Sequence, residues 1–388
     1  MKILYVINQL HSGGAEQQMV ALCEGVRRRG HHVEVASIYD RLDLRNRLDA
    51  VQTPITVVHK YAKLDITVIW RIRHLIQEKK PDLVHAYLPA SCLFVGLTKW
   101  LGITAPVLQS ERSINNWRSP WRLWLDNVVR NRVANITCNA DAIKRYLSAE
   151  EGVDPQKTTL IYNGLVKERR TRPEQQAIDA ARCKVNLPDG ASIVIAVANF
   201  VREKQFPILL RSFAQAKEQV GGLFLVLVGK GPLEGEIRKD ITELGLTDSV
   251  RIVSDCVNPL PLLCIANTAV STSSIEGCSN SILEAMAMGL PVVASNAGGN
   301  AELVTHELGG FVGPIGNSKV FADSLVRLAQ DPILVQRMGH YNRKKIEREF
   351  NDDIMVDRTL ALYECILRET PPAVKARFFL NRLSPGSN

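Results

Sequence analysis

The chain has 388 residues, a formal net charge of +8 and 46% hydrophobic residues. This length exceeds one ordinary domain, so we expect two or three domains, and the composition is that of a soluble globular protein. No apolar run approaches the ~18 residues of a membrane span, and the eight cysteines form no Cys-x-x-Cys pair, which argues against a transmembrane helix, a disulfide framework and a zinc site. Because the sequence opens directly with a strand and no leader, we expect a cytoplasmic protein.

The positive charge is concentrated in the first half. Its net value is +7 over residues 1–165, −2 over 166–370 and +3 over 371–388. The first half should therefore meet an acidic partner. No zinc finger or RNP-like aromatic motif is present, so anionic membrane lipid at the inner face of the membrane, or a phosphorylated acceptor, is favoured over nucleic acid.

Short apolar strands alternate with helical stretches, which is typical of parallel sheets with helices on both faces. The predicted strands are 2–7, 32–38, 55–59, 82–86, 105–109, 135–138 and 158–162, then 192–198, 223–228, 249–253, 268–271 and 291–295. The pattern restarts after residue 190, which predicts two Rossmann-like α/β domains facing each other across a cleft. Open parallel sheets bind ligands at the carboxyl ends of their strands, so the site should lie there.

Three strand ends in the first half carry candidate ligand contacts. The first strand leads into a loop with Gly13 and Gly14, where a backbone can approach a ligand closely, although an ordinary turn is the simpler interpretation. A later strand ends at His85, for which a structural role and a ligand contact are about equally favoured. The next strand ends in Glu111 and Arg112.

Tryptophans and arginines are concentrated between residues 112 and 132. One interpretation is a helix from about Pro120 whose apolar residues face the core. Its predicted core stripe consists of Trp121, Trp124, Leu125 and Val128. The less favoured interpretation is a patch of arginines and Trp117 at a membrane interface or on lipid phosphates. The basic tail is expected to be disordered.

A basic loop follows the first strand of the second half. It contains Asn199, Arg202 and Lys204, and cations placed there could bind phosphates and steady a leaving diphosphate. Another strand ends in a turn with Gly231.

The segment from Glu276 to Glu284 is the most informative stretch. Asn280 and Ser281 can cap a helix, Gly289 suits its left-handed end, and the two carboxylates would stand before the helix and in its first turn. A helix start suits a phosphate and flanking carboxylates suit sugar hydroxyls, which together describe a nucleotide-sugar site. On residues 281–284 alone, a capping box in which Glu284 only bonds back to the backbone is the favoured interpretation.

The wider string of residues resembles the signature of retaining glycosyltransferases of the GT-B fold, in particular their family four (group 1). The matching residues are Glu276-Gly, Asn280, Leu283-Glu284-Ala-Met-Ala, Gly289-Leu-Pro-Val-Val-Ala, Gly298-Gly299 and Glu302. The resemblance implies catalytic roles for Glu276 and Lys204. It implies donor contacts from Glu284, Arg202, Asn199, Gly14, Gly231, Ser279, Asn280, Ser281 and Glu302, and acceptor contacts from His85, Arg112 and Gly13. Relatives commonly carry an Arg where Asn199 stands and a histidine near Glu111, so these two positions depart from the family pattern.

The resemblance also assigns the segments. It implies an acceptor-binding domain at 1–165, a nucleotide-sugar domain at 191–345 and a helix at 346–370 that crosses back to the first domain. Composition indicates a linker with a short helix at 166–190 and the basic tail at 371–388.

The function implied is transfer of a sugar from a UDP- or GDP-type donor to a glycan or lipid-linked acceptor, with retained configuration, in bacterial surface polysaccharide synthesis. No cofactor and no metal is expected, because no Asp-x-Asp occurs in the chain. An epimerase of similar fold, or a non-catalytic nucleotide-sugar-binding subunit, remains the alternative.

Overall fold

The computed structural model describes residues 1–62, 65–114 and 119–369. They form two compact units. The first contains Met1–Gly164 and the segment that begins at Asp352, and the second contains Leu165–Asn351. The predicted basic tail 371–388 lies outside the described residues.

The first unit is built on a parallel sheet of seven strands in the order β3-β2-β1-β4-β5-β6-β7. The strands are β1 (Lys2–Ile7), β2 (His32–Ser37), β3 (Ile55–Val57), β4 (Leu83–Tyr87), β5 (Val107–Glu111), β6 (Asn135–Cys138) and β7 (Thr158–Leu160). Its helices are α1 (Gly14–Arg28), α2 (Arg45–Ala50), α3 (Thr67–Lys79), α4 (Pro89–Leu97), α5 (Pro120–Arg130), α6 (Asp141–Ala149) and α16 (Asp352–Glu369), with one-turn 3-10 helices at Thr98–Leu101 and Pro155–Lys157. All seven predicted strands are confirmed, and their ends differ from the predicted ones by two residues at most.

Both faces of this sheet are covered, as expected for strands that are nearly continuous apolar runs. On one face, Leu4 and Val6 of β1 share a core with Ile72 of α3 and residues of α4 to α6. On the other face, the Tyr5 hydroxyl of β1 lies 3.0 Å from that of Tyr363 in α16.

The last helix returns to the first unit, which confirms that prediction. α16 packs along α1, where a Cβ on Gly25 would lie 2.3 Å from the Val356 side chain, so only glycine permits this approach. Arg28 pairs with Asp352 at 3.0 Å at the start of α16.

The second unit is built on a parallel sheet of six strands in the order β10-β9-β8-β11-β12-β13. The strands are β8 (Ser192–Val197), β9 (Leu223–Val228), β10 (Val250–Val253), β11 (Thr268–Ser271), β12 (Val292–Ser295) and β13 (Gly310–Gly313). Its helices are α7 (Lys167–Arg170), α8 (Gln175–Val185), α9 (Phe206–Gln219), α10 (Glu234–Glu243), α11 (Leu260–Ile265), α12 (Asn280–Ala287), α13 (Asn300–Leu303), α14 (Ser318–Gln330) and α15 (Pro332–Glu349), with a 3-10 helix at Arg202–Lys204. The five strands predicted here are confirmed. The sequence did not predict β13, a short strand with glycine at both ends.

In both sheets the strand order reverses beside the first strand of the unit. This reversal lies between β1 and β4 in the first unit and between β8 and β11 in the second. Successive crossovers leave such a point in opposite directions, so the loops after the two strands diverge and leave a crevice at their carboxyl ends. The loops at these two positions, together with the helices that follow them, contain most of the predicted site residues.

Candidate active site

A lysine and a glutamate meet at the reversal point of the second unit. Lys204 ends the basic loop after β8, and Glu276 lies in the loop after β11. The Lys204 ammonium pairs with the Glu276 carboxylate, and the Ser273 hydroxyl donates to the same oxygen, Oε1, at 2.9 Å. The two charged side chains keep 24% and 12% of their surface exposed, so both remain accessible to a ligand.

The loops around Glu276 are fixed by polar contacts and by close backbone packing. The Thr272 hydroxyl donates to the carbonyl oxygen of Lys204 at 3.0 Å, which joins the two loops. Gly298, from the loop after β12, packs on the carbonyl of Glu276: a Cβ at Gly298 would lie 1.9 Å from that oxygen, and its φ is +49°. A side chain there would displace the Glu276 backbone.

Gly231 also has a packing role. It follows β9, and a Cβ there would lie 2.5 Å from the carbonyl oxygen of Phe200. The glycine therefore allows the loop after β9 to close on the loop after β8. Its contact with a donor stays a prediction.

The second carboxylate of the motif, Glu284, is buried in α12. Arg169 donates to its Oε1 from Nε at 2.9 Å and from Nη2 at 2.7 Å, and holds Asn258 with Nη1 at 3.1 Å. Burial raises the pKa of Glu284, and the nearby Arg169 guanidinium opposes this shift. Sequence reasoning missed Arg169, which lies in the predicted linker, because nothing local connects it to a residue so far along the chain.

The start of α12 differs from the prediction. Its N-cap is Ser279 and not Asn280 or Ser281, and the Ser279 and Ser281 hydroxyls lie 3.2 Å apart. Glu284 is therefore in the second turn, not the first, and its carboxylate is held by Arg169. The capping-box alternative is wrong for this residue. Gly289, with φ +79°, confirms the predicted left-handed end.

The other predicted donor residues of this unit surround the same crevice. Asn199 and Arg202 are exposed in the loop after β8, and Glu302 lies half-buried in α13. Beside Glu302, Asn300 is fully buried, and within the described part of the chain neither polar atom of its side chain has a hydrogen-bond partner. Sequence reasoning missed Asn300.

His85 occupies a closed environment in the first unit. Its Nδ1 lies 2.6 Å from the Tyr363 hydroxyl and its Nε2 lies 2.9 Å from the Ser110 hydroxyl. Burial, with a smaller contribution from Arg112, lowers the pKa of His85 to about 3, so the ring is neutral at physiological pH. These contacts favour the structural role, and acceptor contact by His85 stays a prediction.

Gly13 is the N-cap residue of α1, and Gly14 begins the helix. A Cβ at Gly13 would lie 2.3 Å from the carboxylate of Glu16, which is buried and pairs with His11 at 2.6 Å. Burial raises the pKa of Glu16, and His11 opposes the shift. Sequence reasoning missed this pair, although Glu16 follows Gly14 by only two residues in the chain.

Arg112 and Glu111 have different partners. Arg112 donates to the Asn163 side chain and lies 5.8 Å from the centroid of the Tyr87 ring. Glu111 is buried and accepts from Arg130 at 2.7 Å.

The predicted core stripe of α5 is wrong for its two tryptophans. Trp121 and Trp124 are 68% and 66% exposed, whereas Leu125 packs against the core. The buried residues of this helix are instead Asp126, Val129 and Arg130. The buried stripe is therefore rotated about the helix axis relative to the predicted one. Trp117 lies outside the described residues.

The second unit thus has paired charges at the reversal point of a Rossmann-like sheet, which is where enzymes of this fold bind their nucleotide ligands. Two family models match the chain: Glycosyltransferase Family 4 over residues 12–169 and Glycosyl transferases group 1 over residues 177–345. The chain belongs to the group 1 (family 4) glycosyltransferases, as the sequence motifs indicated.

Individual relatives agree with this assignment. The lipopolysaccharide core biosynthesis glycosyltransferase LpsD of Rhizobium meliloti is 26% identical over 94% of this chain and 98% of its own length. An Escherichia coli enzyme described as UDP-Gal:alpha-D-GlcNAc-diphosphoundecaprenol alpha-1,3-galactosyltransferase is 27% identical over 77% of this chain and 79% of its own length. The structure of Anabaena Alr3699/HepE in complex with UDP matches 94% of this chain and all of that chain, with a TM-score of 0.84 and 21% identity. This last likeness confirms the GT-B fold.

Among the residues that the structure describes, no helix combines the length and apolar character needed to span a bilayer. No three His, Cys, Asp or Glu side chains among them are grouped as metal ligands.

Proposed function

We propose that this glycosyltransferase moves a sugar from a nucleoside-diphosphate sugar to a hydroxyl of a glycan or lipid-linked acceptor, without a metal and with retained configuration. The pair of Lys204 and Glu276 carries the proposal. It brings together in one crevice a cation, which suits the diphosphate of such a donor, and a carboxylate, which suits the hydroxyls of its sugar. The names of relatives such as LpsD support an acceptor in bacterial surface polysaccharide or lipopolysaccharide synthesis.

The donor site follows from the charges of the second unit. In this proposal Lys204 neutralises the diphosphate, as a metal ion does in other sugar transferases. Glu276 accepts hydrogen bonds from hydroxyls of the transferred sugar, and Glu284, steadied by Arg169, accepts them from the ribose. The partly exposed setting of the Lys204–Glu276 pair supports these roles, because a ligand can exchange with it more readily than with a fully buried pair.

The reaction we propose needs no general base from the protein. The acceptor oxygen bonds to the anomeric carbon on the face from which the phosphate departs, and the bond from that carbon to the phosphate oxygen breaks. The leaving phosphate takes the proton of the acceptor hydroxyl. Lys204 stabilises the negative charge that develops on the phosphate.

We propose UDP, in preference to GDP, as the nucleotide of the donor. The E. coli relative is named for UDP-Gal, and the Anabaena protein has been solved with UDP and with UDP-glucose. Ser254, which follows β10, donates to Glu234 at 3.1 Å, so its hydroxyl helps to fix the loop on that side of the sheet.

Calorimetric titration tests the donor site. UDP, GDP, ADP and NAD are titrated in the presence of a chelator into wild type, Glu284→Ala and the matched control Glu243→Ala, whose carboxylate is 61% exposed on α10. We expect metal-free binding of UDP, weakened about tenfold or more in Glu284→Ala and unchanged in the control. Absence of binding to every diphosphate, or tighter binding of NAD than of UDP, would contradict the proposal.

A transfer assay tests the chemistry. Incubation of donor with acceptor, followed by measurement of the anomeric proton coupling of the product, should show the configuration of the donor. An isomerised sugar released without any acceptor would identify an epimerase instead. Binding of UDP without turnover of any UDP-sugar offered would favour the non-catalytic subunit.

A further inference from the structure

The first unit carries exposed tryptophans for which the transferase site gives no reason. Trp70 on α3, Trp100 in the 3-10 helix after α4, and Trp121 and Trp124 on α5 are 56%, 42%, 68% and 66% exposed. Helix α4 packs against both α3 and α5, and all three contribute to the core on the same face of the sheet. The four indoles are therefore on one side of the unit. Large apolar groups concentrated on one surface mark an interaction site.

Arginines connect these tryptophans into one surface. The Arg73 guanidinium lies 5.8 Å from the centroid of the Trp70 ring, and its Nε donates to the carbonyl of Leu101 at 2.8 Å, next to Trp100. The Arg132 guanidinium lies 4.9 Å from the centroid of the Trp100 ring. Across the described ranges 1–62, 65–114 and 119–369, neither guanidinium forms an ion pair with a carboxylate. Their positive charges are thus available to an outside partner.

Helix α5 continues the surface beyond Arg132. Trp121, Trp124 and Val128 are spaced by three and four residues, so they share one face of the helix. Arg132 follows Val128 by four residues, just past the end of the helix. The surface thus runs from Trp70 through two arginines to Trp121.

We propose that this tryptophan surface, consisting of Trp70, Arg73, Trp100, Trp121, Trp124 and Arg132, docks the enzyme on an anionic membrane. Indole rings prefer the boundary between headgroups and acyl chains, and guanidiniums bind lipid phosphates. A protein interface tends to bury its aromatic residues in a central cluster, whereas here each ring is spaced from the next and two of them stack on an arginine. The excess charge of +7 in residues 1–165 matches an anionic surface.

Docking on a membrane rests on the proposed function, because a lipid-linked acceptor is what would give the enzyme a reason to bind there. Docking would hold the enzyme where such an acceptor is found. The surface is made of residues outside the candidate donor site, so membrane binding and donor binding can be measured separately.

Vesicle flotation tests the docking. Full-length wild type is mixed with vesicles of phosphatidylcholine alone or with added phosphatidylglycerol, and compared with Trp121→Ser/Trp124→Ser and with Arg73→Gln/Arg132→Gln. The control variants are Ile333→Ser, which removes an apolar residue that is 79% exposed in the second unit, and Lys239→Gln/Lys319→Gln, which removes two cations that are 74% and 80% exposed there.

We expect wild type and both controls to float with the anionic vesicles and to be released by high salt. Loss of the two arginines should weaken binding by about 25-fold, since each cation near the surface contributes about fivefold. Loss of the two tryptophans should weaken it by a similar factor. Failure of wild type to float, or wild-type flotation of both surface variants, would overturn the proposal.

Two further measurements keep the outcomes distinct. Self-association of wild type in analytical ultracentrifugation, abolished in Trp121→Ser/Trp124→Ser, together with no vesicle binding, would make the occupant a second copy of this chain and overturn the membrane. UDP titration should give wild-type affinity for both surface variants. If UDP binds but vesicles do not, the docking inference fails and the transferase proposal stands; if vesicles bind but UDP does not, the reverse holds.

Discussion

The carboxyl ends of the two sheets carry ion pairs in contrasting environments. In the second unit, Lys204 and Glu276 form one pair that is still 24% and 12% exposed. In the first unit, Arg130 lies between Glu111 and Glu151, and all three side chains are 5% exposed or less. Water and ligands can compete for the Lys204–Glu276 pair, whereas separating Arg130 from its two glutamates would leave unpaired charges in the interior. We therefore expect similar residue types to serve ligand exchange in one unit and the integrity of the fold in the other.

The largest expected effect concerns the exchangeable pair. Glu276→Gln keeps the shape of the side chain and removes its charge, so we expect kcat to fall by about 10²–10³-fold while the free energy of unfolding changes little. Steady-state kinetics and urea unfolding together check this. Glu243→Gln, at an exposed ion pair on α10, is the matched control and should keep full activity. Full activity of Glu276→Gln would remove the central residue of the proposed mechanism.

Breaking the buried cluster should instead cost stability. Arg130→Met leaves two carboxylates buried without their partner, and we expect the free energy of unfolding to fall by about 3–5 kcal/mol. Tryptophan fluorescence during urea unfolding reports this unit selectively, because all five tryptophans lie between residues 70 and 124. Arg145→Met removes an exposed arginine paired with Asp141 on α6 and should cost less than about 0.5 kcal/mol. Equal effects of the two variants would contradict the contrast between buried and exposed pairs.

The glycine that supports Glu276 gives a sharper test of position. In Gly298→Ala the new Cβ would meet the carbonyl of Glu276, so we expect kcat to fall by about 10- to 100-fold through displacement of that residue. Gly222→Ala is the control: its φ of +70° carries the same left-handed penalty, but nothing lies within 4 Å of the added Cβ. Similar losses of kcat in both variants would mean that backbone strain, and not the position of Glu276, controls the rate.

The smallest effect is a dependence of stability on pH through His85. The unfolded chain takes up a proton near the usual histidine pKa of about 6.5, while the folded protein keeps the ring neutral down to about 3. The stability that this residue contributes is complete above pH ~6.5 and is lost as the pH falls toward 3. Between pH 6.5 and 5, wild type should lose about 2 kcal/mol more than His85→Gln, as measured by urea unfolding followed through tryptophan fluorescence. Parallel pH profiles of the two proteins would show that His85 titrates normally in the folded state.

Much of the fold could be predicted from the sequence, because strand periodicity and helix ends are local properties. Gly289 ends α12 as its residue type requires, and the strands of both sheets lie within two residues of their predicted positions. The short strand β13 was missed because two of its four residues are glycine, which weakens the strand signal. The tryptophans of α5 were assigned to the core because their spacing fits a buried stripe, but spacing defines a face of a helix and not what covers it.

The sequence by itself determined the class of protein. The motif that indicates this class is contiguous in the chain and consists of a carboxylate, small residues, a helix and a buried strand. Its chemistry can therefore be recognised without a structure. Only the tertiary structure decided the partners: Arg169 reaches Glu284 across 115 residues, Ser273 and Lys204 converge on Glu276, and Tyr363 closes over His85. Such pairings depend on which strands and helices become neighbours in the folded chain. Which elements become neighbours depends on the packing of apolar residues that are far apart in the chain, so it cannot be predicted from a local pattern of residues.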